Sequence, residues 1–325
     1  MSEQQKSSQE AAPAHNRQKY IGGSDIASVL GISPWRTPMD LWEDKIKPPV
    51  DNANKMVRRA RQRGHRWEAA VAEMLVEELT NQGHTVEIVA SNARYIDPLV
   101  AFFACEIDFE IRLDGAEEIT NVELKTVHPF KAKEWGESGT DSAPLWYVAQ
   151  AMWGLSLTGR RECLIAPMFG ADEIKVFPIQ RDEETIAAMR ARAEAFWTDH
   201  VLTKIPPEPI NSKDIDKMFR QESEAALLAD DELTLAVLRM RAIDKEIKAR
   251  TAEYDELEFK VKMMMKDAPE LLLGDTSAVT WKARNHTYLD QAALKEDHPK
   301  LFKEYTVKGQ SRVFTLKSFG WKGTE

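Results

Sequence analysis

Apolar and polar residues alternate with a period of two over residues 106–111 and 122–126, on either side of an Asp114-Gly115 pair suited to a turn, and this predicts a β-hairpin. Side chains two apart on a strand point the same way, so Glu123 and Lys125 share a side, as do Glu106, Asp108 and Glu110. Ile107, Phe109, Ile111, Val122 and Leu124 are then free to face a core. Before the hairpin, Trp67, Ala70, Val71, Met74, Leu75 and Leu79 recur at helical spacing in a segment opened by Gly64, which predicts an amphipathic helix. After it, Leu145, Val148, Ala149 and Met152 mark the core side of a helix beginning near Pro144, and residues 162–168 and 174–179 read as two strands joined at Gly170. Ile186, Met189, Ala193, Phe196, Trp197 and Val201 fall on one face of a helix over 183–202.

Pro206, Pro207 and Pro209 interrupt this texture and mark a domain boundary. Beyond Ser212, Met240, Ile243, Ile247, Tyr254, Leu257, Val261 and Met264 follow a three-four spacing broken at Arg250, which fits a long helix in a hairpin or a short coiled coil. The pattern is α/β: a mixed sheet flanked by helices over residues 17–209, then an accessory region over 210–325 made of a long helix and a small, basic, β-containing segment. In that segment nine Lys and Arg face five Asp and Glu over 280–325, with Trp281, Tyr288, Tyr305, Phe314 and Trp321 interspersed. Such aromatics can stack on bases or build a small core.

Composition narrows the class. A chain of 325 residues with 43% hydrophobic content can bury a sizeable core, which fits one domain with a substantial appendage. Residues 1–16 are polar and lack the apolar stretch of a signal peptide, so a disordered tail is expected there; no apolar run approaches the roughly 20 residues that span a membrane. Cys105 and Cys163 are the only cysteines and have no framework spacing, which fits a reducing cytoplasm. A net charge of −9 does not by itself mark a nucleic-acid binder, so any attraction for phosphates must be local. Lys55, Arg58, Arg59, Arg61, Arg63 and Arg66 supply such a patch, a basic run with no intervening acid that is either a solvated helix face or a DNA-backbone contact.

The charged side of the hairpin carries the candidate chemistry. Carboxylates crowded beside a lysine repel one another unless neutralised, and a divalent cation with oxygen ligands is the usual partner. Glu68, which flanks the buried stripe of the first helix, can add a third carboxylate, although a glutamate in a first turn is also explained by the helix dipole. An E-x-K on an exposed strand has its own plain explanation in a half-solvated sheet. An all-oxygen set suits Mg²⁺, with Mn²⁺ as substitute, whereas Zn²⁺ more often recruits His or Cys; the neighbouring His65 is read as a helix-surface residue. Metal-assisted hydrolysis of a phosphodiester is the chemistry these groups suit, with two cations about 3.5–4 Å apart stabilising the attacking and leaving oxygens.

The segment Tyr20-Ile21-Gly22-Gly23-Ser24-Asp25-Ile26-Ala27-Ser28-Val29-Leu30-Gly31, followed by Ser33-Pro34-Trp35 and Pro38-Met39-Asp40-Leu41-Trp42, resembles the opening motif of YqaJ-type viral recombinases. These are grouped with phage lambda exonuclease in the PD-(D/E)XK nuclease superfamily. G-H-R-W-E ending at Glu68, C-E-I-D containing Asp108, V-E-L-K ending at Lys125, and Tyr147-Val148-Ala149-Gln150 follow in the same order, over residues 17–209. The resemblance implies a restriction-endonuclease-like core in which Asp108, Glu123 and the main-chain carbonyl of Leu124 bind Mg²⁺, Glu68 completes the site around a second metal, and Lys125 orients or activates water. It also implies Arg17 and Ser24 as anchors for the 5′ phosphate of a DNA strand. Ser24 has a separate warrant, since after Gly22-Gly23 it can cap a helix beginning near Asp25. Gln150 is implied near the metals. Two departures from the pattern stand here: Met152 where many relatives carry a second glutamine, and Gly154 where a Q-x-x-x-Y pattern would end. Two cysteines cannot hold the four-cysteine iron–sulfur cluster of Cas4-like relatives.

The expectation is a Mg²⁺-dependent exonuclease that degrades the 5′-ended strand of linear duplex DNA and leaves a 3′ single strand for a phage-type annealing protein. By resemblance it is a homotrimer and a phage or prophage protein working in a bacterial cytoplasm. The alternatives are a structure-selective or nicking endonuclease with the same site, and a DNA-end-binding or recombinase-docking module without catalysis.

Overall fold

The computed structural model of the chain describes residues 16–47 and 55–317, apart from the side chains at 55–58, 60, 61 and 63–65. The expected tail over 1–16 lies outside the described residues except for Asn16, and Trp321 and the side chains of Lys55, Arg58, Arg61, Arg63 and His65 lie outside them altogether. Two compact units are present, the first ending at Met218 and the second beginning at Phe219.

The first unit opens with α1 (Gly23–Val29) and α2 (Pro38–Ile46), followed by α3 (Lys55–Asn81). Thr37 caps α2 by accepting from Asp40 N at 3.1 Å, while the Asp40 carboxylate accepts from Thr37 N at 2.9 Å, and Pro38 takes the first-turn position where no backbone donor is needed. Strands β1 (Val86–Ile96), β2 (Ala104–Leu113) and β3 (Thr120–Val127) form an antiparallel meander. The β2–β3 loop begins at Asp114 and Gly115, both with positive φ, as the sequence predicts for that pair. Helix α4 (Leu145–Thr158) crosses over to β4 (Glu162–Phe169), which pairs parallel with β3; parallel neighbours require such a crossover. Strands β5 (Glu173–Ile174) and β6 (Phe177–Gln180) add antiparallel pairs to β4, and α5 (Glu183–Ala195) runs on into a π-helical turn, Phe196–Leu202. The α3-β1-β2-β3-α4-β4 order gives the mixed sheet flanked by helices expected from the sequence.

Helices cover both faces of the sheet, which is why β4 is buried from Cys163 to Phe169 without alternation of polar residues. On one face α1, α4 and α5 pack over Cys105, Ile107, Cys163, Ile165 and Phe177; on the other, Val71, Ala72, Leu75 and Leu79 of α3 pack over Ile111, Val122, Leu124, Leu164, Ala166 and Met168. Trp67, assigned by periodicity to the buried stripe, is exposed, because α3 reaches the sheet only from about Val71 onward. Helix α3 begins at Lys55 rather than near Gly64, so the basic run lies on the helix itself, with Arg59 and Arg66 exposed.

The hairpin departs from simple alternation. Ile107 belongs to the α4-side core, whereas Phe109 and Ile111, two and four residues on, pack on the α3 side. β2 therefore turns over near Asp108, and the facing residue of β1, Asn92, has φ 51°, an unpaired left-handed position between the Ser91–Phe109 and Ala93–Ile107 pairs. Regular pairing of β2 with β3 ends at Phe109–Val122.

The unit continues past the prolines. Helix α6 (Ser212–Met218) is held to α2, with Asp214 buried and accepting from Thr37 Oγ1 at 2.9 Å and Lys217 bonded to Asp40. In the second unit, α7 (Asp231–Met265) contains the predicted three-four stripe, and Ile247, Tyr254, Leu257 and Met264 on it are exposed. A hairpin of β7 (Glu270–Leu273) and β8 (Thr276–Thr280) and two short helices, α8 (Gln291–Asp297) and α9 (Pro299–Tyr305), follow. Trp281, Tyr288, Tyr305 and Phe314 are exposed, so the small aromatic core considered for this segment does not form among the described residues.

Asp25 locks the opening motif. It is buried in α1, accepts from Lys45 Nζ at 2.8 Å, Arg36 Nη2 at 2.7 Å and Gly22 N at 3.1 Å, and Lys45 also donates to the carbonyls of Arg17 and Tyr20. Burial pushes the Asp25 carboxyl up, but Lys45, Arg17 and Arg36 outweigh it and bring the pKa down from 3.8 to about 2. A depressed folded pKa gives stability that is fully present above the ordinary value of 3.8 and lost as pH falls through about 2, on the order of 2 kcal/mol. Acid unfolding followed by circular dichroism is expected to show this dependence in the native chain. Asp25→Asn, which leaves Lys45 unpaired, should be less stable by about 3–5 kcal/mol at pH 7 and flatter between pH 4 and 2; equal slopes for the two proteins would contradict the assignment.

Candidate active site

Asp108 and Glu123 stand where β2 and β3 separate. With the ladder ended one pair earlier, Leu124 N has no strand partner in β2, and the Asp108 carboxylate takes its place, accepting from Leu124 N at 2.8 Å. Glu123 projects to the α4 side, where it accepts from Lys125 Nζ and from Gln150 Nε2 and is buried. Burial raises its pKa first and the Asp108 charge raises it further; Lys125 pulls it down, and Glu68 on α3 adds the smallest of these repulsions, the outcome being about 7. Burial lowers the Lys125 pKa, but the fields of Glu123 and Asp108 outweigh it, so the ammonium is held protonated. Lys125 Nζ also lies 5.4 Å from the ring centroid of Tyr147, and Tyr147 stacks on Trp135 at 5.3 Å.

The residues named from the sequence are thus brought together unequally. Asp108, Glu123, Lys125 and Gln150 converge. Glu68 is half-buried and within electrostatic range of Glu123, but among the described residues no three His, Cys, Asp or Glu side chains form a ready-made metal cage. Glu110, expected beside Asp108 on one charged side, is instead buried and paired with Arg160 at 2.9 Å, and Glu106 is exposed; the turn of β2 at Asp108 separates the three. The donor set fits a hard divalent cation all the same. It consists of carboxylates, without His or thiolate, and the pKa of Glu123, raised first by burial and then by the Asp108 charge, reports a buried negative charge that such an ion would stabilise. The thiol of Cys105 is also driven up, burial and Glu123 pushing it to about 12, which makes it an inert core group.

Arg17 and Ser24 are partners, Arg17 Nη2 donating to Ser24 Oγ. Ser24 is not the helix cap. Helix α1 starts at Gly23 with Gly22 as N-cap, and it is the Asp25 carboxylate that reaches back to Gly22 N. The adjoining Gly23 allows α1 to lie against α4: a Cβ there would stand 3.3 Å from Gln150 Cγ. Gly154, where the pattern of other superfamily members ends in tyrosine, meets the sheet so closely that even a Cβ would lie 2.9 Å from Ile107 Cδ1. No tyrosine fits there. Tyr147, which the motif includes without a role, is the further residue at the site, and its spacing of three from Gln150 on one helix is a usable signal for a shared face.

An acidic pair, a lysine and a glutamine thus meet at the split of two strands in a mixed sheet. Residues 14–161 match the family model described as the YqaJ-like viral recombinase domain. The chain is 26% identical over 315 residues to the uncharacterized protein YqaJ of Bacillus subtilis strain 168, spanning 93% of this chain and 92% of that one. It is similar to an alkaline exonuclease from Laribacter hongkongensis, also solved in complex with dAMP, at 18% identity and a TM-score of 0.44 over 58% of this chain and 91% of that one. A phage-related exonuclease from Haemophilus somnus 129PT is similar at 15% identity and a TM-score of 0.38, over 57% of this chain and 96% of that one.

Because Glu123 titrates higher in the folded than in the unfolded chain, the stability linked to it is fully present below the ordinary value of 4.5 and lost as pH rises through about 7. Thermal midpoints taken from pH 5 to pH 8 in divalent-free buffer should therefore fall for the native chain and fall less for Glu123→Gln. Parallel curves would remove Glu123 as the titrating group.

Proposed function

We propose that the chain is a divalent-metal-dependent DNA exonuclease, expected to use Mg²⁺, that shortens the 5′-ended strand of linear duplex DNA and leaves a 3′ single strand for a phage-type annealing protein. The observation that carries this reading is the meeting of half-buried Asp108 and buried Glu123 with Lys125 and Gln150 at the open end of the β2–β3 ladder. In it, Asp108, Glu123 and the Leu124 carbonyl would hold one cation, and Glu68 would complete the site for a second. Such cations would supply charge neutralisation of the scissile phosphate and a lowered pKa of the attacking water.

The chain's own residues do the rest. Lys125, held as an ammonium by its acidic neighbours, donates to the attacking water or a phosphate oxygen and so orients in-line attack. Gln150 fixes the Glu123 carboxylate through one oxygen, which would leave the other for a cation. Arg17 and Ser24, already hydrogen-bonded to each other, receive the 5′ phosphate, with Arg17 more than half exposed for the purpose. Arg59 and Arg66, with Arg58, Arg61 and Arg63 on the same run of α3, contact the DNA backbone without sequence preference. A homotrimer working in a bacterial cytoplasm is the assembly and setting this reading carries with it.

Digestion of end-labelled linear duplex with Mg²⁺ is expected to release nucleotides from the 5′ end, to spare covalently closed circles, and to fall by at least about 10²-fold in Asp108→Ala and Lys125→Ala. Cutting of circles would replace the exonuclease by a nicking endonuclease, and binding of ends without cleavage would leave a docking module. A second comparison uses Arg17→Ala on 5′-phosphorylated and 5′-hydroxyl ends. The variant should lose the preference for phosphate, and an undiminished preference would place the anchor elsewhere.

A further inference from the structure

We infer that Arg160 and Glu110 are a positioning pair for the metal-binding carboxylates, setting the spacing of the strand segments that carry Asp108 and Glu123; the inference rests on the nuclease reading above. Arg160 follows α4 after Gly159, whose φ of 70° ends the helix and turns the chain back toward the sheet. Its Nη2 donates to Tyr95 OH at 2.9 Å and pairs with Glu110 Oε2 at 2.9 Å, while Nη1 donates to Asn121 Oδ1 at 2.6 Å. Tyr95 OH in turn donates to Glu110 Oε1 at 2.6 Å, and Asn121 Nδ2 donates to Thr158 Oγ1, on the last residue of α4, at 3.1 Å. One guanidinium thereby ties together β1, β2, β3 and the end of α4.

Its place along the strands gives the network its role. Glu110 lies two residues from Asp108 on β2, and Asn121 two residues from Glu123 on β3. The two are direct cross-strand partners, next to the last rung before the ladder opens at the site. Beyond that rung the strands diverge, so the separation of Asp108 and Glu123 is inherited from the Glu110–Asn121 rung and from the angle of α4, which also carries Gln150. Glu110 and Asn121 are almost fully buried, and the Arg160 side chain is 13% exposed. A buried ion pair of this kind contributes little net stability relative to apolar residues of similar shape, but it fixes orientation, and metal sites tolerate deviations of only about 0.5 Å. Loss of such outer hydrogen-bond partners typically costs about 10- to 100-fold in metal affinity or activity.

The test uses the full chain and the double variant Glu110→Leu/Arg160→Met, which removes both charges and leaves neither partner stranded. Its thermal midpoint in divalent-free buffer should stay within a few degrees of the native value. The Mn²⁺ concentration giving half of the metal-induced rise in that midpoint should increase about 10- to 100-fold. On end-labelled duplex, kcat should fall while KM for DNA holds. A double variant that keeps both the Mn²⁺ half-point and kcat overturns the inference. If the double variant does not fold, Tyr95→Phe and Arg160→Lys, which keep the charges but break the fork of hydrogen bonds, should each shift the Mn²⁺ half-point upward; unshifted half-points overturn it equally. A native chain whose Mn²⁺ response is abolished by Asp108→Ala but which cuts no DNA defeats the nuclease reading alone, because the thermal titration still decides on Arg160 and Glu110.

Discussion

Two carboxylates held side by side, one buried and one half-buried, repel each other, and much of the first unit serves to keep Asp108 and Glu123 there. Lys125 offsets part of the repulsion, Gln150 orients one carboxylate, and Leu124 N anchors the other. The last of these contacts is not possible in an unbroken hairpin. A regular ladder would pair Leu124 N with a backbone carbonyl and take that donor from Asp108, so the early end of β2–β3 pairing, with the left-handed Asn92 opposite, is a condition for the site. The frustration is local and electrostatic, and it makes the pocket receptive to small, highly charged cations.

Around that constraint the fold divides its labour between the two sides of the sheet. Helix α3 seals one side with aliphatic side chains, and α4, braced by α1 and α5, closes the other while carrying the polar groups inward. The parallel β3–β4 pair fixes the floor, because a crossover helix must return along the sheet and so brings Gln150 over Glu123. The opening motif is held by a different principle, a buried carboxylate surrounded by three cations, in which Asp25 joins α1 to Lys45 of α2 and Arg36.

Much of this was legible from residue order. Period-two alternation located β2 and β3, helical spacing located α3, α4, α5 and α7, and the E-x-K signature named Glu123 and Lys125 before any geometry was known. The turn of β2 at Asp108 was not legible, since a one-residue irregularity leaves the alternation Ile107-Asp108-Phe109-Glu110 intact on paper while sending Ile107 and Phe109 to opposite faces. The fate of Glu110 was hidden for the same reason: its partner Arg160 lies fifty residues away and becomes a neighbour only through the crossover. Ser24 was misread as a cap because two glycines before a serine look like the end of a loop, yet Gly22 already ends it and Asp25 does the capping. The exposed aromatics beyond Trp281 show the opposite limit, for composition alone cannot say whether an aromatic side chain finds a core.

The contact of Gly23 with Gln150 ties two stretches of the chain that could otherwise vary separately. A Cβ on the residue preceding Ser24 would crowd the side chain that steadies Glu123 at 3.3 Å, so the wall shared by these two regions has little slack. Bulk added on one side must be absorbed by the other, and sequence drift in the opening glycines is therefore bounded by the tolerances of a pocket more than a hundred residues further along the chain.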